Sequence, residues 1–529
     1  MKRNLFKTLS LFLLLVMVLV TGGCNQKVEK AALEEPSMQD AYIEEYVIPD
    51  GKGDWGYPTP YGLFPRGPGF IRMSYVFDSL IWKNENGDFI PALAKEWSYD
   101  EKENAYTFEL VENAKWHDGK PVTAKDIAFT VTYMKKHPVP WMNLAPVDSV
   151  VPVSDYKVVF KLKEKWAPFY GNIAGCMPIL PEHIYKDIED PEKCLSEQCV
   201  IGSGPFKLIA YNAEKGEYVF EAFKDYYQGC PKVNKIKFYK MNPQMQPEAL
   251  IQGKVDAIFT SGDAEQIFKG KDIKIISDIG TLKKVAFNHD KAPFNQKEFR
   301  HAIAYLINRD DIIDIAHRGH AFEGNTGIIP STSQYYEKDI EQYKYSPQKG
   351  CEILEQLGYT KRDKYYEKDE KILGFKVLGQ ESVRRDVDII VEQLNGVGIK
   401  AEPVYKDVQT TDQMVISRDF DIAIIESAAI GDPIFLNRDI LGKSATSDQY
   451  YQSQKMIDLL NQQLSAVDSE ERHKIIKELQ KIYVEELPSY HIYFSKFVYA
   501  HNDKIDLYYT KDGVSIGIPL ALNKMCFMN

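Results

Sequence analysis

Apolar and polar positions alternate with a period of two along Tyr106 to Val111 (YTFELV) and again along Asp155 to Lys163 (DYKVVFKLK), the pattern of strands with one buried face. Elsewhere the period lengthens to that of a helix: Ile127, Val131 and Met134 share one face, as do Phe299, Ile303 and Leu306. Glu248 to Phe259 (EALIQGKVDAIF) reads as a helix stopped at Gly253 and followed by a strand holding Asp256, and Val383 to Lys406 repeats the order helix, glycine, strand. Tyr75 to Trp82 (YVFDSLIW) reads as a short buried helix. Gly53 to Met73 is so rich in Gly, Pro and aromatic residues that it predicts a loop filling or lining a cleft, not a helix. Repeated helix-to-strand crossovers predict mixed α/β lobes with largely parallel sheets, and the lack of a short internal period excludes a solenoid.

One stretch, Lys115 to Met134 (KWHDGKPVTAKDIAFTVTYM), gathers residue types that carry chemistry. Its local pattern is structural. His117-Asp118-Gly119 ahead of Pro121 has the composition of a turn, and Thr123 stands three positions before Asp126, the spacing that caps a helix N-terminus. Neighbouring residues on a turn point apart and no third catalytic partner follows, so strand, turn and capped helix are expected instead of an active site.

The ends change the picture more than the bulk does. Lys2, Arg3 and Lys7 precede a nearly unbroken apolar run from Leu9 to Val20, shorter than the roughly 18 residues or more of a membrane span and suited to a signal peptide over 1–23. Thr21-Gly22-Gly23-Cys24 resembles a bacterial lipobox, with Thr21 where Leu is more usual, so Cys24 is the expected lipidation site. Residues 24–40, with Glu34, Glu35 and Asp40, then form a solvated tether, and the mature chain is expected at the outer face of the cytoplasmic membrane or in the periplasm. A net charge of −11, which still counts the basic leader, argues against nucleic acid as a partner. The other cysteines are Cys176, Cys194, Cys199, Cys230, Cys351 and Cys526; export permits disulfides, Cys194 and Cys199 could close a small loop, and free thiols are the competing reading. No CxxC pair points to zinc, and His317 and His320 in HRGH read as a solvated helix end.

Five motifs in order resemble one family: WHDGKPVTAKDI, GSGPFKL at Gly202 to Leu208, FKDYYQGCPKVNKIKFY at Phe223 to Tyr239, LIQGKVDAIF, and FNQKEFRHAIAYLINRDDII. The chain is similar along nearly its whole mature length to the family 5 extracellular solute-binding proteins, the oligopeptide, dipeptide and nickel-chelate receptors of ABC importers. The resemblance implies an α/β, two-lobe periplasmic-binding-protein-like fold of the class II type, with an extra subdomain inserted in lobe one. Lobe one would comprise 41–78, 201–284 and 490–529, the inserted subdomain 79–200, and lobe two 285–489. Hinge crossings would fall near Val285-Ala286-Phe287 and Pro488-Ser489-Tyr490. The implied function is capture of a peptide or similar small polar solute in an interlobe cleft and delivery to an ABC transporter permease, by a monomer, without cofactor or covalent chemistry. A nickel-chelate receptor is the alternative, in which His117, His137, His289, His301, His317 or His320 would matter. An exported hydrolase is disfavoured because the chain has no GxSxG elbow and no HExxH, and GSGPF places a proline where an elbow would enter its helix.

In the family's peptide receptors a stretch of the type Trp-x-x-Asp-Tyr-Pro-Asp-Pro holds the ligand ammonium with its first aspartate. The corresponding stretch is IIESAAIGDPIF, Ile424 to Phe435: Asp432-Pro433 match its tail, but Ala429 occupies the anchor position and no tryptophan precedes it. Burying an ammonium without a carboxylate is costly, so either Glu426 or Asp432 substitutes, or the ligand lacks a free N-terminus. Replacing either by alanine is expected to weaken binding and leave the fold intact. Arg66 and Arg72 flank the aromatic loop and suit carboxylate-bearing solutes. Arg384 and Arg385 begin a helix, where a bound anion would offset an unfavourable dipole. Tyr57, Tyr61, Trp141 and Tyr336 lie near Gly or Pro turns and could stack on a ligand. For each of these side chains a surface pair or core packing is the competing fate.

Overall fold

The computed structural model describes residues 42–260, 262–448, 451 and 453–528. The leader, Cys24 and the 24–40 tether lie outside them. Three sheets of four or more strands organise the chain. Ile43–Asp50, Val233–Lys240, Glu217–Ala222 and Phe206–Asn212 lie side by side in that order, and Ala94–Asp100, Ala105–Leu110, Lys157–Leu162 and Val147–Ser154 form a second, antiparallel sheet. The third sheet runs in the order Ala257–Thr260, Ser489–His501, Lys274–Phe287, Ile422–Ser427, Gly374–Gln380, Lys400–Lys406, with Ala321–Glu323 also on Ser489–His501. The chain is mixed α/β, but the expectation of largely parallel sheets is corrected. Parallel ladders join Ile43–Asp50 to Val233–Lys240 and join Gly374–Gln380 to Lys400–Lys406 and Ile422–Ser427, while the remaining ladders are antiparallel.

Local expectations hold where one segment decides its own structure. The helix Ala124–Lys136 begins with Thr123 N–H donating to Asp126 Oδ2 at 2.8 Å, and Gly119 takes φ +89° in the turn before it. His117 is a strut: Gly202 N–H donates to its Nδ1 at 3.2 Å, its Nε2 lies 3.0 Å from Gly204 O, and burial pulls it down to about 4. Arg384–Val397 ends at Gly398 with φ +107°. Cys194 and Cys199 are joined by a disulfide, and Cys176, Cys351 and Cys526 are thiols. The Gly/Pro-rich stretch departs from expectation, because Gly67–Val76 is a helix. Pro68 falls in its first turn, where the missing N–H breaks no helical bond. The helix expected at Tyr75 to Trp82 stops at Val76, and Ile81–Lys83 is a strand.

Two large cores result. One gathers Tyr46, Trp82, Phe108, Trp116, Phe160, Phe238 and Phe527; the other gathers Val285, Phe299, Ile303, Val377, Ile390, Leu394 and Tyr490. The paired strands Lys274–Phe287 and Ser489–His501 run between them. Ala257–Thr260 pairs with the Val498 to His501 end, and Ile422–Ser427 pairs with Leu282 to Phe287. The change of neighbour coincides with a break in register between Ile279 and Leu282. A Cβ at Gly280 would sit 2.4 Å from the Phe497 ring, so glycine is what lets the ladder kink there.

Beyond the kink, Lys284 and Asp448 form an ion pair at 2.6 Å with both side chains wholly buried. Burial alone would raise the Asp448 carboxyl; Lys284 and the Tyr483 hydroxyl overcome it and hold the group below the ordinary range. Ser489 and His491 complete the cluster. Ser489 Oγ donates directly to Asp448 Oδ1 at 2.9 Å, and His491 Nδ1 lies 2.7 Å from Asn325 O. Every member is buried, so the resemblance to a nucleophile, base and acid is structural. Asp448→Asn leaves Lys284 charged in an apolar core and is expected to cost about 3–5 kcal/mol of unfolding free energy in a urea titration. Because the native carboxyl is held low, its contribution is present at neutral pH and lost as pH falls through the acid range.

Candidate functional site

The two cores face each other across the kinked strands. Two contacts define the facing walls: a Cβ at Gly431, in the turn after Ile422–Ser427, would lie 2.6 Å from Gly517 Cα in the segment 509–518, and Arg66, leading into Gly67–Val76, acts on Asp412 of Val408–Ile416. The walls touch in places. Ala167 N–H donates to Leu464 O at 2.7 Å, and Ile434 and Leu464 pack against the first core.

Most residues singled out in the sequence have partners of their own. Arg72 is 3% exposed; it pairs with Asp50 at 2.8 Å and lies over the Phe238 ring, so it is a strut of the first core and not a ligand contact. Tyr57 is buried with its hydroxyl on Ser196 O, Tyr61 donates to His137 O at 3.0 Å, and Trp141 packs on Phe70. Tyr336 packs against the Leu436 cluster. Arg384 forks onto Glu381 and stacks on Tyr405, which explains a cation at that helix start without a bound anion. Arg385 is exposed.

The two candidate replacements for the anchor also have cations. Glu426 pairs with Lys283, and Asp432 receives a bidentate fork from Arg472 at 2.8 and 2.7 Å while accepting Ile434 N–H. Ala429 is wholly buried. Arg66 remains at the interface, where it acts on Asp412 of the opposite wall.

Among the described residues, three carboxyl groups are held above the ordinary range, and sequence reasoning named none of them. Burial raises Asp278, and Asp512 adds to it. Burial raises Asp512, against the pull of Lys83 and Lys511. Burial raises Asp412, against Arg66 and with help from Glu426. Asp278 lies on the strand beside the kink and accepts its neighbour's N–H, from Ile279, at 2.7 Å; neither Asp412 nor Asp512 accepts a hydrogen bond or ion pair among the described residues. Lys83 donates instead to Gly513 O at 3.1 Å, and burial pulls its own pKa down despite Asp512 and Asp432. Tyr509, beside Asp278, has a buried hydroxyl without a partner among the described residues. The interface thus presents three half-buried carboxyl groups with no direct ion pair among the described residues; Arg66, Lys83 and Lys511 act on two of them only from a distance. A surface hollow of about 640 Å³ bordered by Glu45, Lys237 and Lys254 shares no residue with it and carries both signs of charge. No three His, Cys, Asp or Glu side chains among the described residues converge as metal ligands.

The model of the bacterial extracellular solute-binding proteins, family 5, matches residues 88–447. The chain belongs to that family. This solute-binding protein is 26% identical over 430 residues to the oligopeptide-binding protein AppA of Bacillus subtilis, covering 76% of each chain. Its fold matches that of B. subtilis AppA solved with a nonapeptide, at a TM-score of 0.71 and 21% identity, over 91% of this chain and 98% of that one. It also matches NikA of Brucella suis solved with Fe(III)-EDTA, at a TM-score of 0.79 and 19% identity, over 91% of this chain and 99% of that one.

The Asp432 fork alters one expectation drawn from the sequence. Asp432→Ala would strand the buried Arg472 guanidinium and is expected to destabilise the fold by about 3 kcal/mol. Removing Arg472 as well, in Asp432→Ala with Arg472→Met, is expected to recover much of that loss in thermal melts. A fully stable Asp432→Ala protein would contradict the structural role.

Proposed function

We propose that this protein captures a small polar solute bearing a cationic group, a peptide with a free amine in the first instance, between its lobes and delivers it to the permease of an ABC importer. The observation that carries the reading is the set of half-buried interface carboxylates that no cation among the described residues contacts directly: Asp278 and Asp512 on one side, Asp412 on the other. A folded protein gains nothing from such groups while they are empty. A bound ammonium would neutralise them, which makes the binding energy large and the specificity electrostatic. Asp278 and Asp512 take the part that Ala429 cannot. An anionic chelate would meet repulsion there, which ranks the nickel-chelate reading second.

The lobes are taken as 41–78, 201–284 and 490–529 for the first, with 79–200 inserted, and 285–489 for the second. We place the hinge where the ladder changes neighbour, at Gly280-Thr281 opposite Ser495, upstream of the crossing expected at Val285; Thr281 N–H donates to Ser495 Oγ there at 2.8 Å. Lipidation of Cys24 would tether the protein outside the cytoplasmic membrane, with 24–40 as the leash. No helix among the described residues is long and apolar enough to cross a membrane.

The test compares casein peptone with the same peptone after N-acetylation, by thermal shift at pH 7. Native peptone is expected to raise the melting temperature and acetylated peptone is not. Asp278→Asn and Asp512→Asn should each weaken binding by about tenfold or more. Each should also raise the melting temperature of the empty protein. The sign follows from the raised carboxyls: the folded state holds those protons more tightly, so their favourable contribution exists at low pH and is lost as pH rises through the folded pKa. At pH 7 the charged groups are a burden that asparagine removes. Equal shifts from both peptones, or variants that bind as wild type does, would refute the reading.

A further inference from the structure

Between the walls, two glycines meet backbone to backbone. Gly431, in the turn after Ile422–Ser427, has φ +90°, and Gly517, in the segment 509–518, has φ +101°. A Cβ at Gly431 would lie 2.6 Å from Gly517 Cα and 2.9 Å from Ile516 O; one at Gly517 would lie 2.3 Å from Ile430 O. These obstacles are main-chain atoms, which no rotamer change can move aside. The turns on both sides are braced. Arg472 grips Asp432 next to Gly431, and Lys83 grips Gly513 O close to Gly517. A third segment closes the junction, since a Cβ at Gly171 would stand 3.9 Å from Asp432 Cβ and 4.0 Å from Ser515 O. Ile430 belongs to one hydrophobic cluster and Val514 and Ile518 to another, so the contact joins two bodies and is not internal to either.

We infer that Gly431 and Gly517 form the seat on which the lobes close, and that the lack of side chains there sets how fully a bound solute is enclosed. The inference rests on the proposed solute-binding function, and it concerns residues that face backbone, not ligand. Gly431 and Gly517 are therefore positioning residues. A methyl group at either would hold the lobes apart in the closed form and would meet nothing across the cleft in an open one. The left-handed backbone adds a strain of its own in both forms. Gly229 supplies the control, because its φ is +105° and a Cβ there would meet nothing within 4 Å.

Small-angle X-ray scattering of wild type, Gly431→Ala, Gly517→Ala and Gly229→Ala, each with and without casein peptone, tests the seat. Wild type and Gly229→Ala are expected to reach the radius of gyration of a compact chain of this size, about 23 Å, when peptone is present. The two seat variants are expected to stay larger while melting close to Gly229→Ala. If either melts far below it, Gly517→Asn, which tolerates positive φ better yet still carries a Cβ, takes its place. Seat variants that contract as wild type does would overturn the inference and leave the solute-binding reading standing. A wild type that is compact in both conditions leaves the prediction unchanged, since the seat variants should still be larger. A wild type that stays extended in both would show that the seat does not form in solution, and would overturn the inference together with solute-driven closure.

Discussion

Everything in this molecule hangs on one ladder, the antiparallel pairing of Lys274–Phe287 with Ser489–His501. Each end of it belongs to a different core, and the break in register at Gly280 marks the place where the sheet changes neighbours. A continuous, regular ladder would make one rigid slab. A kinked one, with Thr281 and Ser495 exchanging side-chain and backbone hydrogen bonds, keeps the two bodies attached while leaving few bonds to resist a small rotation. The wholly buried Lys284–Asp448 pair then ties the ladder to the 442–448 loop just beyond the kink, which favours the kink as the place where the proposed closure bends.

Against that frame the distribution of charge becomes meaningful. Arg72, Arg472, Lys284 and Lys524 are buried cations, and each faces a carboxylate, Asp50, Asp432, Asp448 and Asp78 respectively. These four follow the rule that a buried charge is paired, while Arg300, also buried, is held by the carbonyls of Phe294, Glu486 and Leu487 instead. Asp278, Asp412 and Asp512, each half-buried, have no ion pair among the described residues, and burial holds all three above the ordinary carboxyl range. Departures from local consistency concentrate at functional sites. The same segment that holds Asp512 also places Asp512 and Ser515 at positive φ, further strain on the wall that meets Gly431.

The sequence revealed what a single segment decides. Period-two runs became Ala105–Leu110 and Lys157–Leu162, Thr123 and Asp126 capped a helix, and Gly398 stopped another. It hid what depends on distant partners. Lys274–Phe287 pairs with a strand more than two hundred positions away, and nothing in its own pattern says so. The helix Gly67–Val76 was masked by its glycines and proline, whose helix-breaking character does not apply in a first turn. Arg72 and Asp432 were legible as charges but not as partners of Asp50 and Arg472. Lys511-Asp512-Gly513 has the composition of an ordinary turn, so no sequence signal distinguished Asp512; its meaning comes from burial beside Asp278. The missing anchor at Ala429 was the one legible clue that favoured the proposed placement of the ligand carboxylates elsewhere.

The most direct test of the central claim is native mass spectrometry of the protein purified without refolding, because a solute enclosed between closed lobes survives purification. The account predicts a retained solute, or a mixture, in which every species carries a protonated amine or guanidinium, and predicts its release from Asp278→Asn. A retained solute with no cationic group would contradict it.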